Sequence, residues 1–327
     1  MLNPDLLQHI YDGTHAIRRI VTHDHCPDGT ASAIILSRAL SIDEPPVTFL
    51  QHGTEAYEQL VAEEGMIFCD ISPPAARVQE FVDAGAIVLD HHVTAKAVVE
   101  RFGDRGVYRE GPGISGAMLA YEEIYWELGK LSGRDPLTTA DRLIETVACL
   151  AAVRDTWQTS HPDWKSACNQ AALLMFFPNR WWIEEGGLEH LVCEFEEDNP
   201  FDLMEVGRIS TQNHLDAVKR ACDEAYRFTT ARGTRVVVIA STSLTSDAAE
   251  LLGDTADLVL GFRYTVEGNR TKFIVSTRSH SDFDCAGFCK ANGGGGHARA
   301  AGCAMPPIGT PYQQIHLMLH EWEGPHL

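Results

Sequence analysis

The sequence lacks the features of a membrane or secreted protein. No apolar run reaches the roughly 18 residues that a membrane-spanning helix needs, so we expect no membrane segment. The first twenty residues lack the charged and then apolar layout of a signal peptide. The nine cysteines include no CxxC pair, and their number is odd. We therefore expect reduced thiols and a cytoplasmic protein.

Basic residues are also scarce. The chain has 26 Lys and Arg against 46 Asp and Glu, and 33 of the acidic residues precede position 205. A protein that follows a long nucleic acid needs a basic surface, because counterion release supplies much of its affinity. The composition therefore argues against a partner of that length. Part of the acidity could instead serve cations.

The first half of the chain has the pattern of an α/β protein. Short apolar runs alternate with helical stretches, which predicts a parallel sheet. The predicted strands cover 16–23, 46–53, 65–72 and 85–92. The predicted helices cover 30–40, 56–64, 74–84, 114–131, 137–157 and 182–197. We expect Ser72 and Pro73 to begin the third of these helices, as a cap and a first-turn proline.

The 327 residues are enough for two domains. The acidic run EFEEDNP at 194–200 ends in a proline and predicts a boundary. We assign residues 1–199 to a catalytic domain and 200–230 to a linker helix, of which 201–228 reads as one helix. Residues 231–327 form a smaller α/β domain with predicted strands at 234–242, 256–266 and 271–279.

Metal-type side chains stand where the predicted strands end. THDHCPDG (22–29) follows the first strand, FCD (68–70) closes the third, LDHH (89–92) closes the fourth, and VRD (153–155) ends a helix. The carboxyl ends of parallel strands line one crevice, so we expect these residues to converge. Carboxylates and imidazoles together suit Mn²⁺ or Mg²⁺, and two such ions can support an in-line phosphoryl displacement.

These four motifs, in this order, resemble those of the DHH phosphoesterase superfamily. That superfamily includes RecJ-type exonucleases, nanoRNA-degrading oligoribonucleases and family II pyrophosphatases. VSTRS (275–279) and FDCAGFCKANGGGGHARAAG (283–302) are similar to the DHH-associated domain with its GGGH motif. The resemblance covers nearly the whole chain. It implies a hydrolase with two domains and an active site in the cleft between them.

The resemblance also implies the metal ligands. Asp70 would bridge two divalent ions, with Mn²⁺ the first choice and Mg²⁺ the second. Asp28, His91 and Asp155 would complete one site, and His23 would bind the other.

The roles at the scissile phosphate follow from the same resemblance. His92 would contact this phosphate, and Asp90 would hold its neighbours in place. The ions would activate the attacking water.

Cys26 departs from the pattern, since many superfamily members have an aspartate there. As a ligand it would favour a softer metal, Zn²⁺ or Fe²⁺, at that site. The alternative is that Cys26 binds no metal and that Asp24 or His25 contributes instead.

The second half would hold the rest of the substrate. Gly294, Gly295 and Gly296 would let backbone N–H groups approach a phosphate closely. Arg278 and His297 can donate charge-assisted hydrogen bonds to it.

Several other histidines and two tryptophans stand outside these motifs in the sequence. We interpret His52, His161, His190, His214 and His320 as structural. Trp181 and Trp182 could stack on bases, but we interpret them as core or interface residues.

We expect a metal-dependent phosphoesterase that cleaves short oligonucleotides or linear dinucleotides to nucleoside monophosphates. One alternative is a hydrolase of polyphosphate, pyrophosphate or a phosphoadenosine phosphate. An alternative of another class is a catalytically silent nucleotide-binding protein. The sequence leaves open the cellular substrate, RNA against DNA, the metal, and whether the chain forms a homodimer.

Overall fold

The structure is a computed structural model that describes residues 1–40, 46–134, 138–187, 203–267 and 269–324. Its internal contacts divide the chain into two compact units, Met1–Thr211 and Gln212–Leu327. The predicted boundary at 194–200 lies outside the described residues, as do His190 and residues 188–197 of a predicted helix.

The first unit contains a five-stranded sheet in which every pair of neighbours is parallel. Its strands are β1 (Arg19–His23), β2 (Val47–Leu50), β3 (Met66–Cys69), β4 (Ile87–Asp90) and β5 (Gly106–Tyr108). They lie in the order β2-β1-β3-β4-β5. Every residue of β3 and β4 is buried, as expected for strands covered on both faces. The four predicted strands are confirmed, whereas the three-residue β5 was not predicted.

Helices surround this sheet. They are α1 (Pro4–Tyr11), α2 (Pro27–Ala39), α3 (Glu55–Glu58), α4 (Val78–Asp83), α5 (Lys96–Val99), α6 (Gly116–Ala120), α7 (Trp126–Ser132), α8 (Thr139–Asp155), α9 (Trp164–Phe176) and α10 (Asn179–Ile183). A π-helical turn, Tyr121–Tyr125, joins α6 to α7, and short 3₁₀ helices cover Ala75–Arg77, Val93–Ala95 and Glu100–Arg105. Helices α1, α5 and α9 were not predicted.

Two details of the predicted helices are wrong. The helix predicted at 56–64 ends at Glu58, because the Arg77 side chain donates to the carbonyls of Glu58 and Leu60 at 2.8 and 2.9 Å. Ser72 caps no helix, because its hydroxyl donates to Asp90 Oδ2 at 2.6 Å and the following 3₁₀ turn has no side-chain cap.

A long helix, α11 (Leu203–Asp223), runs across the division between the units. It is shorter than the predicted span of 201–228, because residues 226–229 form a strand. Arg227 donates from Nη2 to the carbonyl of Cys222 at 2.6 Å and so covers the end of the helix.

The second unit is built on a six-stranded mixed sheet. Its strands are β6 (Tyr226–Thr229), β7 (Arg235–Ile239), β8 (Leu258–Glu267), β9 (Arg270–Arg278), β10 (Gly295–His297) and β11 (Ala300–Met305). They lie in the order β10-β11-β9-β8-β7-β6, and β7 and β8 are the parallel pair. Helices α12 (Thr245–Leu252), α13 (Cys285–Ala291) and α14 (Pro311–Glu323) complete the unit. The three predicted strands are confirmed. Across the described ranges, no helix meets the length and apolarity of a membrane span.

Candidate metal centre

The loop between β1 and α2 carries the first group of metal-type residues. His23 is the last residue of β1, and Asp28 lies in the first turn of α2 with 2% of its surface exposed. A side chain at Gly29 would overlap the carbonyl oxygen of His23. Glycine therefore allows α2 to begin directly against the end of the strand, which holds Asp28 close to His23.

Asp70 follows β3 with a left-handed backbone, φ 62°, and is 1% exposed. A side chain at Gly116 would overlap its Cβ atom. The same part of α6 fixes Asp28, whose carboxylate accepts hydrogen bonds from the backbone N–H groups of Gly116 (2.7 Å) and Ala117 (3.0 Å). The N-terminus of a helix thus anchors one predicted ligand and packs on another.

His91 stands at the centre of three carboxylates. Its Nε2 atom lies 3.2 Å from Asp70 Oδ1, 3.5 Å from Asp155 Oδ2 and 3.8 Å from Asp28 Oδ2. One ligand atom from each of Asp28, His91 and Asp155 lies within 4.8 Å of the others. These four residues form a compact set of oxygen and nitrogen donors.

A second group lies on the other side of Asp70. His23 Nδ1 is 3.8 Å from Asp70 Oδ2, and Cys26 belongs to the same group of donors within 4.8 Å. Asp70 therefore turns one oxygen toward His91 and the other toward His23. This is the geometry that a carboxylate bridging two cations requires. The structure brings all six predicted metal residues together.

The carboxylates of the cluster repel one another. Burial, followed by the charges of Asp28 and Asp155, raises the pKa of Asp70 well above its usual range. Burial and the charge of Asp28 raise the pKa of Asp155 to about 6. Asp70 Oδ2 is buried without a hydrogen-bond partner. A divalent cation between these groups would remove the repulsion and fill that vacant coordination, so the residues fit a metal centre.

Cys26 lies within the cluster as a thiol. Burial, followed by the charges of Asp70 and Asp155, raises its pKa well above the usual value, and only a thiolate binds metal strongly. Its part as a ligand stays a prediction.

The alternative ligands Asp24 and His25 are outside the three donor groups found among the described residues. Asp24 Oδ1 instead accepts from Asn179 Nδ2 at 3.1 Å, and the His25 side chain is 73% exposed.

His92 forms a hydrogen-bonded pair with Asp90, and it also belongs to a donor group with Asp70 and His91. His92 Nδ1 lies 2.8 Å from Asp90 Oδ1, which also accepts from the His92 backbone N–H at 2.9 Å. Ser72 Oγ donates to the other oxygen of Asp90. Burial acts to lower the pKa of His92, but the hydrogen bond and charge of Asp90 raise it overall. The pair fixes the imidazole with its Nε2 atom free of Asp90.

His52, which we interpreted as structural, lies beside His23. It follows β2, and its ring centroid lies 5.8 Å from that of His23 and 4.8 Å from that of Tyr57. The sequence signal for this proximity was its position after a strand of the same sheet. A structural role for His52 stays a prediction.

Arg278 on β9 and His297 on β10 occupy matching positions on either side of β11 in the second unit. Arg278 pairs with Ala300, which pairs with His297, so the two residues lie in one row on the same face. His297 is exposed. Arg278 is half-buried and donates to Ser246 Oγ at 3.0 Å and the Thr277 carbonyl at 2.8 Å.

The predicted glycines differ in the space around them. A side chain at Gly294 would overlap the carbonyl oxygen of Gly302, and one at Gly296 (φ 141°) would lie 2.6 Å from Ala301 Cα. Strand packing explains both. Around Gly295 the space is open, so packing gives no reason for a glycine there.

The tryptophans are packed, as interpreted. Trp182 is buried and donates from Nε1 to the Leu174 carbonyl at 3.1 Å. Trp181 stacks on Phe177, with ring centroids 4.1 Å apart, and a side chain at Gly187 would lie 2.6 Å from its ring.

No family sequence model and no curated protein matches the chain. Among solved structures, the chain is similar to the DHH domain of a protein described as a member of the s1p family of ribosomal proteins. The TM-score is 0.59 at 13% identity, and the match covers 97% of this chain and 88% of that one. The chain is also similar to exonuclease RecJ bound to manganese, with a TM-score of 0.55 at 15% identity over 98% and 92% of the two chains. A third structure is PggH, a pGpG-specific phosphodiesterase from Vibrio cholerae, with a TM-score of 0.53 at 12% identity over 92% and 97%. The chain therefore has the fold of the DHH superfamily, as its motifs predicted.

Proposed function

We propose that the protein is a metal-dependent phosphodiesterase that cleaves short oligonucleotides or linear dinucleotides to nucleoside monophosphates. The observation that carries the proposal is Asp70, whose two oxygens face two separate groups of donors. Two-cation sites of this kind suit in-line displacement at phosphorus.

The cluster would hold two divalent cations, with Mn²⁺ as the first candidate. Asp28, His91 and Asp155 would hold one, His23 and Cys26 the other, and Asp70 both. When bound, the cations would supply an activated water and offset the negative charge that develops on the phosphate.

His92 would act on the substrate itself. Its Nδ1 is taken by Asp90, so its Nε2 can donate a hydrogen bond to a phosphate oxygen. Burial lowers the pKa of His92, but its hydrogen bond to Asp90 and the charge of that carboxylate together raise it overall, which favours the protonated donor near neutral pH. Ser72 would keep Asp90 oriented.

Arg278, His297 and the backbone at Gly295 would hold the rest of the substrate. Arg278 is preorganised by Ser246 and Thr277, which lowers the entropy lost when it binds a phosphate. The open space at Gly295 would allow a phosphate to approach the backbone.

Charge favours a short substrate. The net charge of −20 offers a long strand few phosphate contacts, and each lost contact weakens binding. A dinucleotide does not depend on such an extended surface.

The test is a hydrolysis screen with Mn²⁺ that compares linear dinucleotides, longer RNA and DNA, polyphosphate and phosphoadenosine phosphate. We expect catalytic efficiency to fall as the strand grows beyond a few nucleotides.

Each other outcome has a distinct meaning. Faster hydrolysis of polyphosphate or phosphoadenosine phosphate would replace the diester by another phosphoester or anhydride. Nucleotide binding without turnover at any metal concentration would indicate a silent binding protein. Processive degradation of long single strands would overturn the preference for short substrates.

A further inference from the structure

A small cavity lies in the second unit between the edge strand β6 and the last helix, α14. Its volume is about 220 Å³, and its walls include Phe228, Thr230, His316, Leu319, His320 and Glu323. It is remote in sequence from the metal motifs, and none of the residues proposed for the reaction lines it.

A carboxylate forms part of this cavity. Glu323 is 6% exposed, and its Oε1 atom accepts hydrogen bonds from Thr230 Oγ1 at 2.7 Å and Thr234 Oγ1 at 3.1 Å. Among the described residues, Glu323 forms no ion pair, and Oε2 has no hydrogen-bond partner. Glu323 Oε2 is therefore available to a positively charged donor, which a carboxylate binds more strongly than a neutral one.

Aromatic rings form the adjacent wall. The rings of Phe228 and His316 are 4.0 Å apart between centroids, and Tyr226 lies 5.4 Å from Phe228. Tyr226 Oη and His316 Nε2 are 3.1 Å apart, which fixes the imidazole. Ring faces attract cations, and the attraction grows when the cation is partly desolvated.

The size and donor set narrow the ligand. The cavity is smaller than the roughly 300–1,000 Å³ of drug-sized pockets, so it suits a small group. The three groups of metal-type donors among the described residues all belong to the first unit, which argues against a metal ion here.

We propose that this cavity binds a small organic cation, an amine or a guanidinium. The cation would donate to Glu323 Oε2 and lie against the ring of Phe228. The proposal goes beyond the phosphodiesterase function and does not depend on it.

The test is calorimetric titration of the full chain with agmatine and putrescine, with butyrate as the anionic control. We expect saturable one-site binding of at least one of the two cations and none of butyrate. Glu323→Gln keeps the size of the side chain and should weaken binding at least about tenfold, since hydrogen bonds to charged groups contribute on that scale.

Glu321→Gln removes the same charge from an exposed position on the same helix and should leave the affinity unchanged. Phe228→Leu should weaken binding while Glu323 stays in place, which covers the case in which Glu323→Gln fails to fold. Equal affinity in wild type, Glu323→Gln and Phe228→Leu would overturn the proposal. So would the lack of saturable binding of either cation at millimolar concentration, or tight Zn²⁺ binding that His316→Ala abolishes.

Discussion

The predicted metal residues and the predicted substrate-binding residues differ in how far the folded protein alone fixes their positions. Among the metal residues, Asp28 and Asp70 are almost fully buried. Among the substrate-binding residues, Gly295 through His297 lie exposed on a short edge strand, and Arg278 is half-buried. The two carboxylates are positioned by the core at the cost of crowded charge, whereas the edge strand is open to solvent. Changes in the two carboxylates should therefore alter stability as well as chemistry, whereas changes in the edge strand should alter substrate binding.

The largest effect is expected for Asp70→Asn, which tolerates the left-handed backbone. Turnover should fall at least about 10³-fold, because the neutral amide cannot bridge two cations. The metal-free protein should become more stable, because burial and the charges of Asp28 and Asp155 disfavour ionised Asp70. Thermal unfolding with a chelator and single-turnover kinetics measure the two effects. Full metal loading with normal turnover would show that Asp70 bridges nothing.

The next effect separates chemistry from metal binding. His92→Gln should lower kcat by about 10²-fold or more while the metal content stays at the wild-type value, because its proposed partner is the phosphate. Asp90→Asn should cause part of the same loss by releasing the imidazole. Metal analysis of both variants is the check. Loss of metal in His92→Gln would assign this histidine to the metal centre.

Changes in the substrate-binding residues should weaken binding of the substrate. Arg278→Ala and His297→Ala should raise KM for a dinucleotide by about tenfold each, as expected for charge-assisted hydrogen bonds. A small chromogenic phosphodiester should be cleaved as by wild type. Gly295→Ala, in open space, should fold and bind the dinucleotide more weakly. Equal losses of activity on both substrates would mean that these residues do not bind the part of the dinucleotide that the small substrate lacks.

Gly294→Ala is the matched contrast to Gly295→Ala. It should destabilise the second unit, because the added methyl group would overlap the Gly302 carbonyl. Similar unfolding temperatures for the two variants would contradict the packing reason given for Gly294.

A smaller effect is expected at Cys26, on metal preference. If Cys26 is a ligand, Cys26→Asp should shift the preference toward Mn²⁺, and Cys26→Ser should weaken one site. Competition titrations with Mn²⁺ and Zn²⁺ give the affinities. Identical affinities in all three proteins would place the thiol outside the coordination shell.

The smallest effect, on metal affinity, is expected at Asn179. This residue lies at the start of α10 and contacts the segment that joins β1 to α2. Its amide donates to Asp24 at 3.1 Å and accepts from Thr30 Oγ1 at 3.1 Å. Asn179→Ala should weaken metal affinity a few-fold by loosening this loop, and Asn179→Gln should not restore it because its amide is displaced. Wild-type metal affinity in Asn179→Ala would assign it a purely structural role.

The fold was predictable where the pattern of apolar residues along the sequence was clear. The strands that end at or just before His23, Asp70 and Asp90 are mostly apolar runs, and parallel topology then brings their ends together. Residues 226–228 were wrongly predicted as helix because they continue a helical pattern. Pairing with β7 at the edge of the sheet decides their conformation.

The sequence predicted which metal-type residues come together, and less of what supports them. Each of these residues stands in a motif near the end of a strand or at a helix terminus. The hydrogen bonds from Gly116 and Ala117 to Asp28 join residues 88 and 89 positions apart, and no local pattern carries that information. Ser72 was assigned to a cap because its tertiary partner, Asp90, lies on another strand.

Two glycines decide which related sequences can build this centre. Gly29 and Gly116 have no side chain that could bind a metal, yet a larger residue at either position would overlap His23 or Asp70. A relative could keep every carboxylate and histidine and still lose the arrangement through one added methyl group at these positions. The pair therefore offers a criterion for sorting sequences that carry the four motifs into those that can assemble the centre and those that cannot.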